Sequence, residues 1–211
     1  MLEAALETLL MSDNIGSPVK YQYDGVAQPL SPTTLRYLKV ASDLKGLFGE
    51  GLDRVAEIGR GYGGQTLVND QLLKYRHATL FDLPFVNELI RKYLNSMLLT
   101  GAYRVTTINE TLPDKYDLAI SNYAFSELPD VLQRAYIDKV LATSERGYLT
   151  MNSGLGGRRS SGKLSLEQLR ELLPPFEMYE EQPLTAPFNY LIVWGHDKDF
   201  AGEYMIAKQP E

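Results

Sequence analysis

The chain has 211 residues, a formal net charge of −6, 44% hydrophobic and 23% charged residues, and no cysteine. That length suffices for one domain with a substantial core, and the missing cysteines exclude a disulfide framework and any thiolate zinc site. The acidic balance speaks against nucleic acid as the main partner, the start carries no basic signal-peptide region, and no apolar run approaches the ~20 residues of a spanning helix, so a cytoplasmic protein without a membrane partner is expected.

In chain order, Leu2, Leu6, Leu9 and Leu10 recur at helical spacing and predict a short opening helix. Residues 12–30 are rich in Gly, Pro, Asp and Asn without periodicity and predict an ordered loop. Ser31-Pro32 reads as an N-cap followed by proline at the first helical position, and Leu35, Leu38, Ala41 and Leu44 give the second helix its apolar stripe. From Arg54 the rhythm changes to alternating strands and helices. Strands are expected at 55–58, 78–81, 103–108, 116–121 and 147–151. Between them lie helices marked by Leu67, Leu72 and Leu73, by Phe85, Leu89, Tyr93 and Met97, and by Val131, Ala135 and Val140. That alternation predicts a doubly wound, mainly parallel α/β sheet of Rossmann-like type.

The last quarter departs from it. Residues 154–163 form a Gly-, Ser- and Arg-rich loop, and Ser165 with Gln168 fits a capping box on a helix stopped by Pro174-Pro175. Residues 176–179 and 190–194 predict two strands without room for a helix between them, hence an antiparallel pair and seven strands in all. The expected organisation is a helical segment over residues 1–50 that caps the site, and a core over residues 51–211.

The strongest local signal is Glu57-Ile58-Gly59-Arg60-Gly61-Tyr62-Gly63-Gly64, after a strand and before a helix. Its glycines permit a tight turn and close approach of a ligand to the backbone. Gly59, Gly61 and Gly64 satisfy the dinucleotide pattern G-x-G-x-x-G, and Gly59, Gly61 and Gly63 equally satisfy the E/D-x-G-x-G-x-G turn of methyltransferases that bind S-adenosylmethionine. The second is favoured by Glu57 inside the strand, by the two helices before the turn and by the antiparallel pair at the far end. A nicotinamide-dependent oxidoreductase and a non-catalytic relative of the fold remain the alternatives.

Asp82 stands 18 residues beyond Gly64, where an acid can accept from both hydroxyls of a ribose; it also suits an N-cap of the helix starting at Pro84. Asn109 follows the third strand, where adenine would lie. After the fourth strand, Asn122 and Tyr123 are candidates to touch the cofactor and Phe125 to wall the site. Glu127 is the candidate general base, or else a first-turn carboxylate favoured by the helix dipole. Tyr21, Tyr23 and Tyr37 suit a sugar acceptor, with an apolar ring and a polar tip, as well as they suit a core. His77 and His196 lie in no cluster with metal-ligand spacing, and no metal is expected. Arg158-Arg159 reads as a phosphate clamp or as solvated surface.

Leu30-Ser31-Pro32-Thr33-Thr34-Leu35-Arg36-Tyr37, the glycine turn continued by Gln65, Phe81-Asp82-Leu83-Pro84, the stretch from Tyr116 to Asn122, and Phe125-Ser126-Glu127-Leu128-Pro129 together resemble a family assigned as sugar O-methyltransferases in bacterial polysaccharide gene neighbourhoods. The likeness runs over about residues 14–154. It implies S-adenosylmethionine as cofactor, held by Glu57, Gly59, Arg60, Gly61, Tyr62, Gly63, Asp82, Asn109, Asn122 and Tyr123, and a small-molecule acceptor, a sugar, in a protein able to form a homo-oligomer. Arg60 departs from the family's usual glycine.

Overall fold

The computed structural model describes residues 9–59, 61–111, 115–152 and 162–196. Leu2 and Leu6 of the expected opening helix, Arg60 of the glycine turn and the Arg158-Arg159 pair lie outside them. The described elements run α1 (Pro32–Phe48), β1 (Arg54–Ile58), α2 (Gly64–Leu73), β2 (His77–Phe81), α3 (Pro84–Leu94), β3 (Ala102–Thr106), β4 (Leu118–Asn122), α4 (Ala124–Glu127), α5 (Asp130–Tyr136) continued by a π-helical turn (Ile137–Leu141), β5 (Arg146–Met151), α6 (Leu166–Leu172), β6 (Glu177–Glu180) and β7 (Tyr190–Trp194).

The strands form one seven-stranded sheet in the order β3-β2-β1-β4-β5-β7-β6. Neighbours from β3 to β5 are parallel, whereas β7 runs antiparallel to both β5 and β6. The order reverses between β1 and β4, which is the switch point where open α/β sheets bind ligands beyond their strand ends. Because β6 points the same way as β5, the connection from β6 to β7 returns over that same carboxyl edge.

Side-chain alternation along each strand sorts the core into two layers. Val55, Leu118, Ile120, Tyr148, Leu191 and Val193 join α1, α2 and α3 on one face. Ala56, Ile58, Ala119, Leu149, Ile192 and Trp194 join α5, its π-helical turn and α6 on the other. Val40, Leu44 and Leu47 of α1 belong to the first layer, so α1 shares its core with the sheet.

Two expected helix faces need correction. On α3 the buried side chains are Asn87, Ile90, Tyr93 and Leu94, while Phe85 is 71% and Leu89 51% exposed. Both fit the i, i+4, i+8 row with Tyr93, but the buried row runs through Asn87, Ile90 and Leu94, which leaves Phe85 and Leu89 on its exposed flank. On α5 Val131 is 72% exposed; the π-helical turn rotates the stripe so that Tyr136, Ile137, Val140 and Leu141 reach the core. The third strand stops at Thr106, two residues early. The capping box of α6 is present as expected, Ser165 with Gln168.

The segment before α1 is tied down by Asp13. Its carboxylate accepts from Ser31 N at 3.1 Å, Ser31 Oγ at 2.5 Å and Thr34 Oγ1 at 2.6 Å, with Lys20 Nζ at 3.4 Å. A backbone bridge between Tyr21 and Leu30 closes the loop behind it. Burial raises the Asp13 pKa, but the donors of Ser31 and Thr34, with Lys20, outweigh it and hold the carboxyl below its usual value. Asp13→Ala is expected to cost about 2–3 kcal/mol at pH 7, because buried donors lose a charged acceptor, as read by urea denaturation. Since the folded pKa is depressed, the contribution is complete above the ordinary carboxylate range and is lost as pH falls through the lowered value. The gap between wild type and Asp13→Asn should therefore narrow below about pH 4.

Candidate functional site

A cavity of about 650 Å³ opens at the β1/β4 switch point, between α1, the ends of β1, β4 and β5, and the loop from β6 to β7. That volume lies within the usual range for small-molecule sites. Its floor begins with the glycine turn. Gly59 N donates to Phe81 O at 2.9 Å and Asp82 N to Thr106 O at 3.3 Å, which aligns Gly59, Asp82 and Thr107 along one edge. Gly59 has φ +70°, and a Cβ there would collide with the Cβ of Ala124. This glycine is demanded by the close crossing of the β1 and β4 turns.

Alternation turns Glu57 towards the α1 face, where it is fully buried and lines the cavity. A buried carboxylate requires donors. Asn69 Nδ2 donates to its Oε1 at 3.0 Å, Gln65 Nε2 donates to Asn69 Oδ1 at 2.9 Å and also to Tyr37 O at 3.0 Å. Gln65 and Asn69 are one helical turn apart on α2, so the chain of amides connects β1 through α2 to α1.

On α1, Lys39 Nζ meets Asp43 Oδ2 at 2.5 Å, and Tyr148 Oη donates to the same oxygen at 2.9 Å. Arg36 lies against two rings, 5.7 Å from the Tyr37 centroid and 5.9 Å from that of Tyr123, and among the described residues it has no carboxylate partner. The described lining therefore carries three carboxylates, Asp43, Glu57 and Glu181, against two cations, Arg36 and Lys39.

The β4 turn supplies the opposite wall. Ser121 Oγ donates to Ile58 O at 3.1 Å and accepts from Phe125 N at 3.0 Å, clamping β4 to β1. Asn122 Oδ1 accepts from Thr150 Oγ1 at 3.0 Å. Tyr123 adopts φ +66°, uncommon and strained for a bulky residue. Its hydroxyl donates to Glu181 Oε1 and lies 3.0 Å from Thr185 Oγ1. Burial first, and then the Glu181 carboxylate, push the Tyr123 phenol up to about 12.

The expected site residues divide accordingly. Tyr23, Tyr37, Glu57, Gly59, Gly61, Asn122 and Tyr123 line the cavity. Gly63 is the N-cap of α2, with φ +103°. Tyr62 packs edge-on to Tyr93 with centroids 4.9 Å apart, propping the turn from behind, and burial raises its phenol pKa. Asp82 directly follows β2 beside Gly59 and accepts from Leu83 N at 2.8 Å; the N-cap position of α3 belongs to Leu83. Asn109 is exposed in the loop after β3, next to Glu110, which accepts from Thr107 N at 3.2 Å.

Three further expected residues stand off the cavity. Phe125 is fully buried in the α5 layer because the short α4 turns it under the sheet. Glu127 is exposed, accepts from Asn152 Nδ2 at 3.0 Å and is not part of the cavity lining. Tyr21 sits in the bridge with Leu30, exposed and off the cavity. Arg36, Asp43, Gln65 and Glu181 also line the cavity, beyond the residues that the sequence pattern singles out. The signal for Glu181 was present in the short antiparallel connection, which returns the chain to the ligand edge. No group of His, Cys, Asp and Glu suited to a metal occurs among the described residues.

No protein-family model matches the sequence, and no curated protein matches it. Solved structures share the fold. The N-methyltransferase NodS from Bradyrhizobium japonicum WM9 is similar with a TM-score of 0.54 and 16% identity, over 77% of this chain and 94% of NodS. The mitomycin 7-O-methyltransferase MmcR gives 0.53 and 19%, over 75% of this chain and 52% of MmcR, and the pyocyanin biosynthetic protein PhzM 0.54 and 15%, over 76% and 55%. The chain thus spans about half of the last two. It has the class I S-adenosylmethionine-dependent methyltransferase fold. These neighbours include both N- and O-methyltransferases, and none of the comparisons points to the sugar O-methyltransferase family.

The two turn glycines separate by measurement. Gly61 has φ +57° with open space where a Cβ would stand, so Gly61→Ala should cost about 1–2 kcal/mol of backbone strain. Gly59→Ala adds the collision with Ala124 and should lower the urea midpoint clearly further.

Proposed function

We propose that the protein is an S-adenosylmethionine-dependent O-methyltransferase acting on a hydroxyl of a small molecule, a sugar or glycan precursor. The observation that carries the reading is the placement of the glycine turn and the buried Glu57 at the switch point of a sheet with methyltransferase strand order. A nicotinamide oxidoreductase of the usual kind has a mostly parallel sheet of order 3-2-1-4-5-6, whereas here β7 enters antiparallel between β5 and β6.

Gly59, Arg60, Gly61 and Gly63 would form the cofactor turn, with Glu57 towards the methionine amino group, Asp82 on the ribose hydroxyls, Asn109 near adenine, and Asn122 and Tyr123 beside the reacting methyl. Arg36 offers its fork of donors to the methionine carboxylate. The cofactor, when bound, supplies a methyl activated by its positive sulfur. The protein's share is to hold the acceptor in line and to remove its proton. Tyr23 and Tyr37 present ring faces and polar tips suited to a sugar.

Calorimetry with S-adenosylhomocysteine and, separately, NAD tests the cofactor. Binding of S-adenosylhomocysteine alone is expected; binding of NAD alone overturns the reading, and binding of neither leaves a relative of the fold without this cofactor. Asp82→Ala should weaken S-adenosylhomocysteine by about tenfold or more, the loss of charged hydrogen bonds. Arg36→Ala should weaken it by a similar factor while leaving 5′-methylthioadenosine, which lacks the carboxylate, unchanged.

A further inference from the structure

We propose that Tyr123 and Glu181 take the proton of the acceptor, which makes the acceptor nucleophile a neutral hydroxyl rather than an amine. The inference rests on the methyltransferase reading above. An amine attacks through the lone pair of its free base, with no proton to lose beforehand. A neutral alcohol must shed its proton as the new bond forms, so a hydroxyl acceptor requires a proton acceptor in the cavity. Glu127 faces elsewhere.

Glu181 follows β6 directly and is buried, 6% exposed, although it sits in a loop at the cavity wall. Its carboxylate is held from three directions. Tyr123 Oη donates to Oε1, Thr185 N donates to Oε2 at 3.1 Å and Thr185 Oγ1 to Oε2 at 2.8 Å. Asn189 Nδ2 donates to Thr185 Oγ1 at 3.1 Å, which fixes Thr185 with its own hydroxyl proton free to turn to Glu181 or to Tyr123 Oη. With its own proton on Glu181, the Tyr123 oxygen keeps a lone pair for a donor arriving from the cavity, even where Thr185 also donates to it. The left-handed backbone of Tyr123, φ +66°, brings the phenol to this place directly after β4, beside Asn122. A loop tie alone would not need a strained tyrosine, nor a carboxylate withdrawn from solvent at the wall of a ligand cavity.

The step balances. The acceptor oxygen forms a bond to the methyl carbon, the methyl–sulfur bond breaks, and its electron pair stays on sulfur. The hydroxyl proton passes to Tyr123 Oη as the phenolic proton moves to Glu181. Tyr123 is neutral before and after, in keeping with a phenol whose pKa stands at about 12. Glu181 ends as the carboxylic acid and returns its proton to solvent.

Two measurements test the pair. In the first, protein with methyl-tritiated S-adenosylmethionine is offered glucose, galactose, rhamnose, their methyl glycosides and glucosamine. A methyl ether is the expected product. Glu181→Gln and Tyr123→Phe should each lower kcat by about a hundredfold, with S-adenosylhomocysteine affinity within twofold of wild type in Glu181→Gln and partial recovery of kcat in Glu181→Asp. Methylation at the glucosamine nitrogen, unchanged kcat in Glu181→Gln, or cofactor binding without transfer to any hydroxyl overturns the inference. Failure of S-adenosylhomocysteine to bind strikes instead at the methyltransferase reading. In the second, carbon NMR of ring-labelled tyrosine follows the resonance lost in Tyr123→Phe. It should titrate near 12 in wild type and at lower pH in Glu181→Gln, because removing the neighbouring charge eases ionisation. An unchanged midpoint overturns the pairing.

Discussion

The site is organised around the need to satisfy one carboxylate that the sheet buries. Pleating turns Glu57 inwards at the end of β1, where a charge is costly without donors. The answer is a chain of side-chain amides on a single helix turn, Asn69 and Gln65, whose last donor holds the backbone of Tyr37. The rotation of α2 and the seat of α1 thereby become consequences of the orientation of Glu57. Because Arg36, Lys39 and Asp43 ride on α1, the charges of the cavity roof inherit their positions from the same chain.

This arrangement also separates two jobs that the sequence writes side by side. The glycine turn belongs to the parallel half of the sheet and is supported from behind by Tyr62 against Tyr93. The opposite wall combines the β4 turn with a loop from the antiparallel half. Tyr123 and Glu181 are 58 residues apart in the chain, and only the antiparallel entry of β7 between β5 and β6 brings them together.

Much of the fold was legible because short periods dominate it. Strands bounded by glycine and aspartate, proline at the start of α1 and α3, and the capping box of α6 are local signals, and local physics decides them. The faces of α3 and α5 were not legible in the same way. Phe85 and Leu89 fit an apolar row that the protein leaves exposed, and one π-helical turn moves the stripe of α5 away from Val131. In the site, the glycine turn and Glu57 declare themselves by spacing. Phe125 and Glu127 misled because the short α4 turns the chain sharply after Tyr123, sending the first into the core and the second out to solvent. Glu181 carries no local mark, since its significance comes from strand direction.

The position of β7 has a further consequence for how the molecule comes into being. Among the described strands it is the last in chain order, yet it occupies an interior place, with hydrogen-bonded neighbours on both sides. A chain emerging from the ribosome would complete the glycine turn and the first five strands while the edge at β5 still stood open. The cavity wall would close only when β7 slid into that gap and carried Glu181 over the carboxyl edge. The glycine-turn side of the cavity would thus be complete before its opposite wall during synthesis. The open edge at β5 would be the exposed surface most in need of protection in that interval.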